Sequence, residues 1–335
     1  MFNLVPELAS ADSQVFWSNG SFTNMLDHGA KHIKLGQLDM PRNFFSGNNC
    51  VVESGQFPSN FLLGVSTLGN DIQFRRQMRS RMGEPITVAG NPPVRFASAK
   101  FDEENEAQVL PGFALFLARV FLNDIFSIGL LPLAGILIYV ILFTSLLRLD
   151  GQLIISALFA LILAEAYLVL LCAAVKKLLV GSVWGSSHST PFWSWRHFSY
   201  FFAQDCFFAW CKRPLRMSAG TLIPNSILRM MGCQIGRRTI ITSPMQASDW
   251  NAVSFGDDCV VNGFLQFHTF ENMILKVKRT DIRDGSTINF GATIMSGAVI
   301  EPETTILPLS LVLKEMHLPG SATYEGSPVE PADDG

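Results

Sequence analysis

The chain has 335 residues, of which 48% are hydrophobic, and its formal net charge is -3. This length allows two modest domains and a membrane segment, and the slight excess of acidic residues argues against nucleic acid as the main partner. The six cysteines form no CxxC pair and show no spacing typical of metal ligands. The sequence therefore predicts no metal site, and it favours a reducing compartment.

A first repetitive region is predicted at residues 31–100, after an irregular segment at residues 1–30. Phe45, Val51, Phe57 and Leu63 follow one another at six-residue intervals, which is the period of a hexapeptide-repeat β-helix. The pattern predicts a partial β-helix, with an ordinary β-sandwich of short strands as the alternative.

Residues 101–178 contain two apolar runs that predict a transmembrane hairpin. The run at 125–147 has no charged residue, and only Glu165 interrupts the run at 153–175. Each run is long enough to cross about 30 Å of hydrocarbon as a helix, and the connector at 148–152 permits only a tight turn. Two buried core helices are the alternative.

The charges around this hairpin predict its orientation. Lys176 and Lys177 follow the second run, whereas Arg148 is the only basic residue of the turn. By the positive-inside rule, both soluble parts then face the cytoplasm and the protein is a multi-pass membrane protein. Glu165 would need a partner within the membrane. Thr144, Ser145 or another helix of an oligomer could satisfy it, or it could line a polar path for a product.

The segment at 179–232 combines aromatic and basic side chains. Ten aromatic residues lie between Phe192 and Trp210, and Lys212, Arg213 and Arg216 follow them. This composition is typical of a helix that lies in the headgroup region of a membrane. A helix docked on the side of a β-helix is the alternative.

The strongest repeat lies in the last predicted domain, residues 233–329, before a short tail at 330–335. Seven aliphatic residues follow one another at six-residue intervals: Ile282, Ile288, Ile294, Ile300, Ile306, Val312 and Leu318. The fifth position of most repeats is small, as in Ala292 and Ala298. The pattern predicts a β-helix with these aliphatic side chains pointing inward along one edge.

A second register precedes this ladder. Ile235, Ile241 and Val253 fit one frame, and a shift of two residues leads to the frame of Phe255, Val261 and Phe267. Such a shift predicts a bulge or a small loop where the coil restarts.

Several motifs of this region together resemble a known family. The run Gln266-Phe267-His268-Thr269-Phe270-Glu271 is followed by Lys276 and by Ile282-Arg283-Asp284-Gly285. These residues resemble the C-terminal region of membrane-bound proteins of the non-ribosomal-peptide-synthetase-like type, including the ε-poly-lysine synthetases. Gly47-Asn48-Asn49 and Leu63-Gly64-Val65-Ser66 look like an earlier domain of the same tandem set.

The resemblance implies left-handed β-helix domains, related to hexapeptide acyltransferases, among membrane helices. In the poly-lysine synthetases such domains join an aminoacyl thioester on a carrier protein to an acceptor amine. This sequence has no GGxS-type site for a phosphopantetheine arm and no Gly/Ser/Thr-rich adenylation loop. We therefore expect no covalently bound cofactor. The expected partners are a carrier protein or adenylation and carrier domains, other β-helix domains or a second copy, and the membrane. The substrate does not follow from the resemblance.

His268 and Glu271 are the predicted catalytic residues. An amine or hydroxyl that attacks a thioester must lose a proton, and a neutral imidazole is the usual acceptor. Glu271 is expected to orient the ring or to bind a cationic acceptor, and His268 is expected to face a neighbouring copy or domain. Three alternatives remain open: His268 as a structural residue that closes a coil, the whole chain as a non-catalytic scaffold, and an acetyltransferase that uses free acyl-coenzyme A.

Overall fold

A computed structural model describes most of the chain. The described residues are 9–12, 15–17, 21–22, 25–28, 33–42, 44–48, 50–52, 55–65, 67–69, 86–90, 94–96, 112–118, 120–121, 125, 129, 131–150, 152–181, 188–192, 194–242, 249–271 and 274–332. They form two compact units, one of residues 1–102 with 325–330 and one of residues 103–324 with 331–335.

The first unit is built from short strands that pair mostly in parallel. Its strands are β1 (Ala9–Ala11), β2 (Phe16–Trp17), β3 (Ser21–Phe22), β4 (Met25–His28), β5 (Ile33–Leu35), β6 (Leu38–Met40), β7 (Phe45–Ser46), β8 (Val51–Val52), β9 (Gly55–Gln56), β10 (Phe61–Leu63), β11 (Leu68–Gly69), β12 (Ile86–Ala89) and β13 (Val94–Phe96). The described strands pair in the parallel stacks β1-β6-β9, β2-β7-β10-β12 and β3-β8-β11.

These stacks correct two sequence predictions for the first unit. The parallel pairing already includes β1 at Ala9–Ala11, so the repeat begins well before residue 31. The predicted inward register also holds only in part. Phe57 and Leu63 are buried, but Val51 is exposed while its neighbour Val52 is buried. Successive side chains of a strand point to opposite faces, so a shift of one residue exchanges the two.

Among the described residues, six α-helices belong to the second unit. They are α1 (Gly112–Ala118), α2 (Leu131–Asp150), α3 (Leu153–Leu179), α4 (Trp195–Trp210), α5 (Lys212–Met217) and α6 (Ile223–Met230). Helices α2 and α3 form a helical hairpin and pack against each other, and α4 and α6 pack on α3. At the crossing of α2 and α3, the side chain of Leu168 lies so close to Gly135 that an added Cβ would be 3.2 Å from it.

The two predicted membrane runs have different outcomes. Within the described residues, only Leu153–Leu179 is a helix long and apolar enough to cross a membrane, and Leu133–Leu149 is a shorter apolar stretch. The α-helical part of the first run begins at Leu131, and Ile125 and Gly129 before it have π-helical backbone. Large apolar side chains such as Ile154 and Ile162 are exposed on this pair, which argues against two buried core helices.

The remaining strands belong largely to the repeat at the end of the chain. They are β14 (His188–Pro191), β15 (Gln234–Ile235), β16 (Ile240–Ile241), β17 (Val253–Phe255), β18 (Val260–Val261), β19 (Phe264–Gln266), β20 (His268–Glu271), β21 (Ile274–Val277), β22 (Thr280–Ile282), β23 (Thr287–Ile288), β24 (Thr293–Met295), β25 (Val299–Ile300), β26 (Thr305–Ile306), β27 (Leu311–Val312), β28 (His317–Leu318), β29 (Thr323–Glu325) and β30 (Glu330–Pro331). Parallel pairing joins them into the stacks β15-β17-β22-β25-β28, β16-β18-β23-β26-β29 and β19-β24-β27.

The aliphatic ladder is confirmed, although its geometry differs from the prediction. All seven of its side chains are buried. Ile282 pairs with Ile300, Ile288 with Ile306, and Ile294 with Val312. Each partner is thus the third ladder residue along the chain, and consecutive ladder residues lie on three different faces of a parallel β-helix. The prediction of a single edge is wrong, because each strand turns a corner before the next one begins.

The first coils of this β-helix are longer than the regular turn. Ile235 pairs with Phe255, and Phe255 pairs with Ile282, so both intervals exceed the one that separates Ile282 from Ile300. The first interval contains the predicted two-residue shift. The second contains an antiparallel hairpin of β20 and β21 that leaves the coil and returns to it. The predicted place of Phe267 in the second register is wrong by two residues, since Leu265 and not Phe267 pairs with Ile294.

Candidate functional site

His268 lies at the start of the hairpin that leaves the β-helix. β20 and β21 pair in antiparallel fashion, and β21 also pairs with β14, so that His268 and His188 flank Val277 on its two sides. The buried Ser296 holds both ends of the hairpin. Its hydroxyl donates to the Phe267 carbonyl at 2.7 Å and accepts from the Lys278 amide at 2.9 Å. The hairpin therefore presents His268 from a fixed base.

Asp249 and Tyr200 surround one nitrogen of the His268 ring. Asp249 Oδ2 lies 2.5 Å from His268 Nδ1, and the Tyr200 hydroxyl lies 3.0 Å from the same nitrogen. The Tyr200 hydroxyl also donates to Asp249 Oδ1. Both carboxylate oxygens of Asp249 are thus occupied, one by each ring. Three separate elements supply these groups: α4, the residue before the short helix at Trp250–Ala252, and β20.

The electrostatics of this group favour an ionised Asp249. Burial raises the pKa of its carboxyl, but the nearby His268, Tyr200 and Lys176 outweigh burial and hold that pKa below its ordinary value. An ionised carboxylate only accepts hydrogen bonds, so Nδ1 of His268 must donate. The lone pair of a neutral imidazole then lies on Nε2. The arrangement is that of a general base whose tautomer is set by a buried carboxylate.

Aromatic rings cover one side of His268. Phe270 lies at a centroid distance of 5.0 Å, and Phe192 is 4.9 Å from Phe270. His197 belongs to the same cluster, 4.5 Å from Phe192, and burial lowers its pKa to about 4. These rings exclude water on that side of the site, which strengthens the contact of His268 with Asp249.

A small pocket opens beside Asp249. Lys176 at the end of α3, together with Tyr200 and Gln204 of α4, lines it. The side-chain oxygen of Gln204 is buried there without a hydrogen-bond partner. The long apolar helix α3 therefore ends directly at the carboxylate that contacts His268. Within the described parts of the chain, no three His, Cys, Asp or Glu side chains come together as metal ligands.

Of the two predicted catalytic residues, the structure describes the side-chain contacts of His268 only. His268 has a buried carboxylate and a tyrosine hydroxyl at Nδ1, and its role as a base stays a prediction. Glu271 lies at the end of β20, opposite Ile274, and its side chain falls outside the described atoms, so its role stays a prediction. The carboxylate at the His268 ring is Asp249, which the sequence did not single out. No spacing in the sequence indicated it, because Asp249 and His268, 19 residues apart, belong to two different excursions from the repeat.

Glu165 has a partner other than those considered from sequence. Its Oε1 lies 3.3 Å from Nη1 of Arg213 in α5. The Thr144 hydroxyl instead donates to the carbonyl of Val140, one turn earlier in its own helix, at 2.9 Å. The segment at 179–232 forms helices packed on α3, on β14 and on the first coil, which fits the docked-helix alternative. Contact of the same segment with headgroups remains a prediction.

Comparison with known proteins finds a similarity in sequence. The chain is 22% identical to delta-poly-L-ornithine synthetase from Acinetobacter baumannii, over 98% of this chain and 25% of that protein. It is similar to a synthetase along nearly its whole length. The chain spans about a quarter of that relative, so the activity of the whole relative is not assigned to it. No family model matches the sequence.

A solved structure has also been matched to the chain. It is the serine acetyltransferase of Neisseria gonorrhoeae in complex with serine, at 14% sequence identity and a TM-score of 0.24. The match covers 59% of this chain and 82% of that one. With so low a TM-score, the β-helix assignment here depends on the strand pairing described above.

Proposed function

We propose that this chain is a membrane-anchored acyl- or aminoacyltransferase unit of a synthetase, with His268 as general base. The observation that supports the proposal is the contact of His268 Nδ1 with the buried Asp249 carboxylate at 2.5 Å. A surface histidine that only closes a coil has no need of a buried ionised partner, because burying a charge is costly unless it is paired. The similarity to delta-poly-L-ornithine synthetase supports the reaction class.

The reaction is the attack of an amine on a thioester. Nε2 of His268 takes one proton from the neutral acceptor amine as the amine nitrogen bonds to the thioester carbonyl carbon. The carbon–sulfur bond then breaks, and the imidazolium returns the proton to the leaving thiolate. Asp249 stabilises the imidazolium that forms between the two steps. Direct attack is favoured over an acyl-enzyme, since no serine or cysteine nucleophile is found at His268 among the described residues.

The donor would be a phosphopantetheine thioester on a carrier protein, supplied by other domains or chains. The same proposal includes three further points. The β-helix is left-handed, the soluble parts face the cytoplasm, and the α2–α3 pair anchors the chain in the membrane. Two alternatives make different predictions. An acyl-coenzyme A dependent acetyltransferase would use free coenzyme A thioesters, and a scaffold would transfer nothing.

The decisive experiment compares His268→Ala with His317→Ala. His317 is an exposed histidine of the same β-helix, in contact with Glu301 at 2.7 Å, and serves as the matched control. Purified protein in detergent receives aminoacyl thioesters of pantetheine or acetyl-coenzyme A, with a panel of diamines that includes ornithine. Thiol release and amide formation by mass spectrometry are the readouts. We expect His268→Ala to lower turnover about a hundredfold or more and His317→Ala to leave it unchanged.

Each result decides between the candidates. Equal turnover of wild type and His268→Ala would make the histidine structural. Turnover with acetyl-coenzyme A alone would favour the acetyltransferase. Absence of any transfer by wild type, both with pantetheine thioesters and with a loaded carrier protein, would overturn the proposal in favour of the scaffold.

A further inference from the structure

The α2–α3 pair carries a continuous surface of exposed apolar side chains. On α3 these side chains recur every three to four residues, which places them on one face. Six members illustrate the surface on both helices: Ile136, Ile141, Ile154, Phe159, Ile162 and Leu170. Soluble proteins rarely expose so much contiguous apolar surface. This face therefore has an apolar neighbour in the cell.

Charged residues on α5 limit how deep this pair can enter a membrane. Arg213 is 58% exposed and lies 3.3 Å from Glu165, which is near the middle of α3. Lys212 and Arg216 are exposed on the same short helix. If α3 crossed the hydrocarbon with its end at Lys176 in the near headgroups, all three cations would lie at mid-membrane depth. Such positions are costly for cations outside a bundle interior or water-filled cavity.

The part of α3 between the turn and the contact of Glu165 with Arg213 is too short to span a membrane. The stretch from Leu153 to Ala164 is about 18 Å long as a helix, against about 30 Å of hydrocarbon. At Glu165, Arg213 of α5 lies against α3, and α4 and α6 also pack on this helix, whereas Tyr167 and Leu170 remain exposed. One face of α3 can therefore contact lipid along the whole helix. The remaining exposed sides can contact lipid only near the turn at Leu153.

We propose that the α2–α3 pair is a monotopic anchor that lies obliquely in one leaflet of an anionic bilayer. The exposed face of α2 and α3 contacts the acyl chains, and the pair returns to the same surface. Lys212, Arg213 and Arg216 lie among anionic headgroups, which attract basic residues at a membrane surface. Met217, Leu222 and Ile223, which are exposed next to these cations, enter the interface beside them.

The proposal also fixes the position of the candidate site. Lys176, which lines the pocket at Asp249, follows Glu165 on the same helix, about three turns later. The site is therefore at most about 16 Å along α3 from the headgroup level. Anchor and site share one continuous helix. This inference deepens the membrane part of the proposed function and does not depend on the chemistry of His268.

The first test uses cysteine variants at the α2–α3 turn and at the α5–α6 connection to measure their depth in the membrane and the side that they reach. Leu153→Cys and Ile154→Cys mark the exposed turn, and Met217→Cys marks the α5–α6 connection. The native cysteines are buried, so wild type gives the background. Protein is added to preformed vesicles of equal parts phosphatidylcholine and phosphatidylglycerol. Quenching by brominated lipids reports depth, and a membrane-impermeant maleimide inside or outside the vesicles reports sidedness.

We expect labels at Leu153→Cys and Ile154→Cys to be quenched by acyl-chain bromines and to be untouched by the maleimide trapped inside. The label at Met217→Cys should be quenched only at headgroup depth. Reaction of either turn cysteine with the trapped reagent would show a spanning hairpin and overturn the proposal. If wild type did not co-float with the vesicles in a density gradient, this face would be covered by a protein and not by lipid. That result would overturn the proposal as well.

The second test changes the charges. The double variant Lys212→Gln, Arg216→Gln spares the Glu165–Arg213 pair, and it should bind anionic vesicles about tenfold or more weakly. Its binding to pure phosphatidylcholine should match that of wild type. Unchanged affinity for anionic vesicles would contradict the headgroup contact. His268→Ala, measured in parallel, should show wild-type depth, so a failed anchor and a failed catalytic assignment give different results.

Discussion

Asp249 Oδ2 lies 2.5 Å from His268 Nδ1, although the two residues belong to different excursions from the β-helix. Asp249 precedes the short helix at Trp250–Ala252, and His268 begins the hairpin. The Tyr200 hydroxyl bridges them from α4. The helices between the apolar pair and the β-helix are thus part of the site and not only a connection.

The contact predicts an ordered series of effects on transfer. Asp249→Asn should lower turnover about a hundredfold or more, because the amide can donate to Nδ1 and so favour the wrong tautomer of His268. Tyr200→Phe should lower it about tenfold or less, because Asp249 keeps its direct contact with the ring. Initial rates of thiol release measure both. If Tyr200→Phe were the more damaging of the two, the hydroxyl and not the carboxylate would orient the base.

A second prediction concerns the hydroxyl that fixes the hairpin. Ser296→Ala removes two hydrogen bonds and leaves the Phe267 carbonyl and the Lys278 amide without that partner. We expect the free energy of unfolding to fall by about 1–3 kcal/mol, measured by chemical denaturation. Ser189→Ala, at an exposed position of the same three-stranded sheet, is the control and should change it by less than about 0.5 kcal/mol. Equal losses would show that the hairpin does not depend on Ser296.

The sequence predicted the C-terminal β-helix well because its information is local and periodic. Each ladder residue stacks on the third one along the chain, so a single spacing defines the strand, the inward face and the partner. The site has no such regularity. Tyr200 is 68 residues from His268 and 49 from Asp249, and these contacts depend on how α4 docks. The N-terminal frame was partly wrong, since the inward position there is shifted by one residue from the six-residue spacing, as at Val51 and Val52.

The periodic core gives a third prediction. Ile294 is fully buried, and Phe290, in the turn before its strand, is 68% exposed. Ile294→Ala should lower the free energy of unfolding of the β-helix by about 2–5 kcal/mol, because it leaves a cavity in a closed coil. Phe290→Ala should change it by less than about 0.5 kcal/mol. Denaturant titration followed by tryptophan fluorescence separates the two, and a large loss in Phe290→Ala would mean that this exposed ring packs against a partner.

The buried ring of His197 predicts how stability depends on pH. Burial lowers the pKa of His197 from about 6.5 to about 4, so between these values the unfolded chain binds a proton that the folded chain does not. The contribution of a neutral His197 is complete above about pH 6.5 and is lost as the pH falls towards 4. Compared with His197→Phe, wild type should therefore lose about 2–3 kcal/mol over this window. Urea denaturation of both proteins at matched pH gives the difference in their free energies of unfolding. The contributions of His268 and of the carboxyls are common to both proteins and cancel in this difference. Parallel curves for the two proteins would show that the ring of His197 takes up its proton in the folded state.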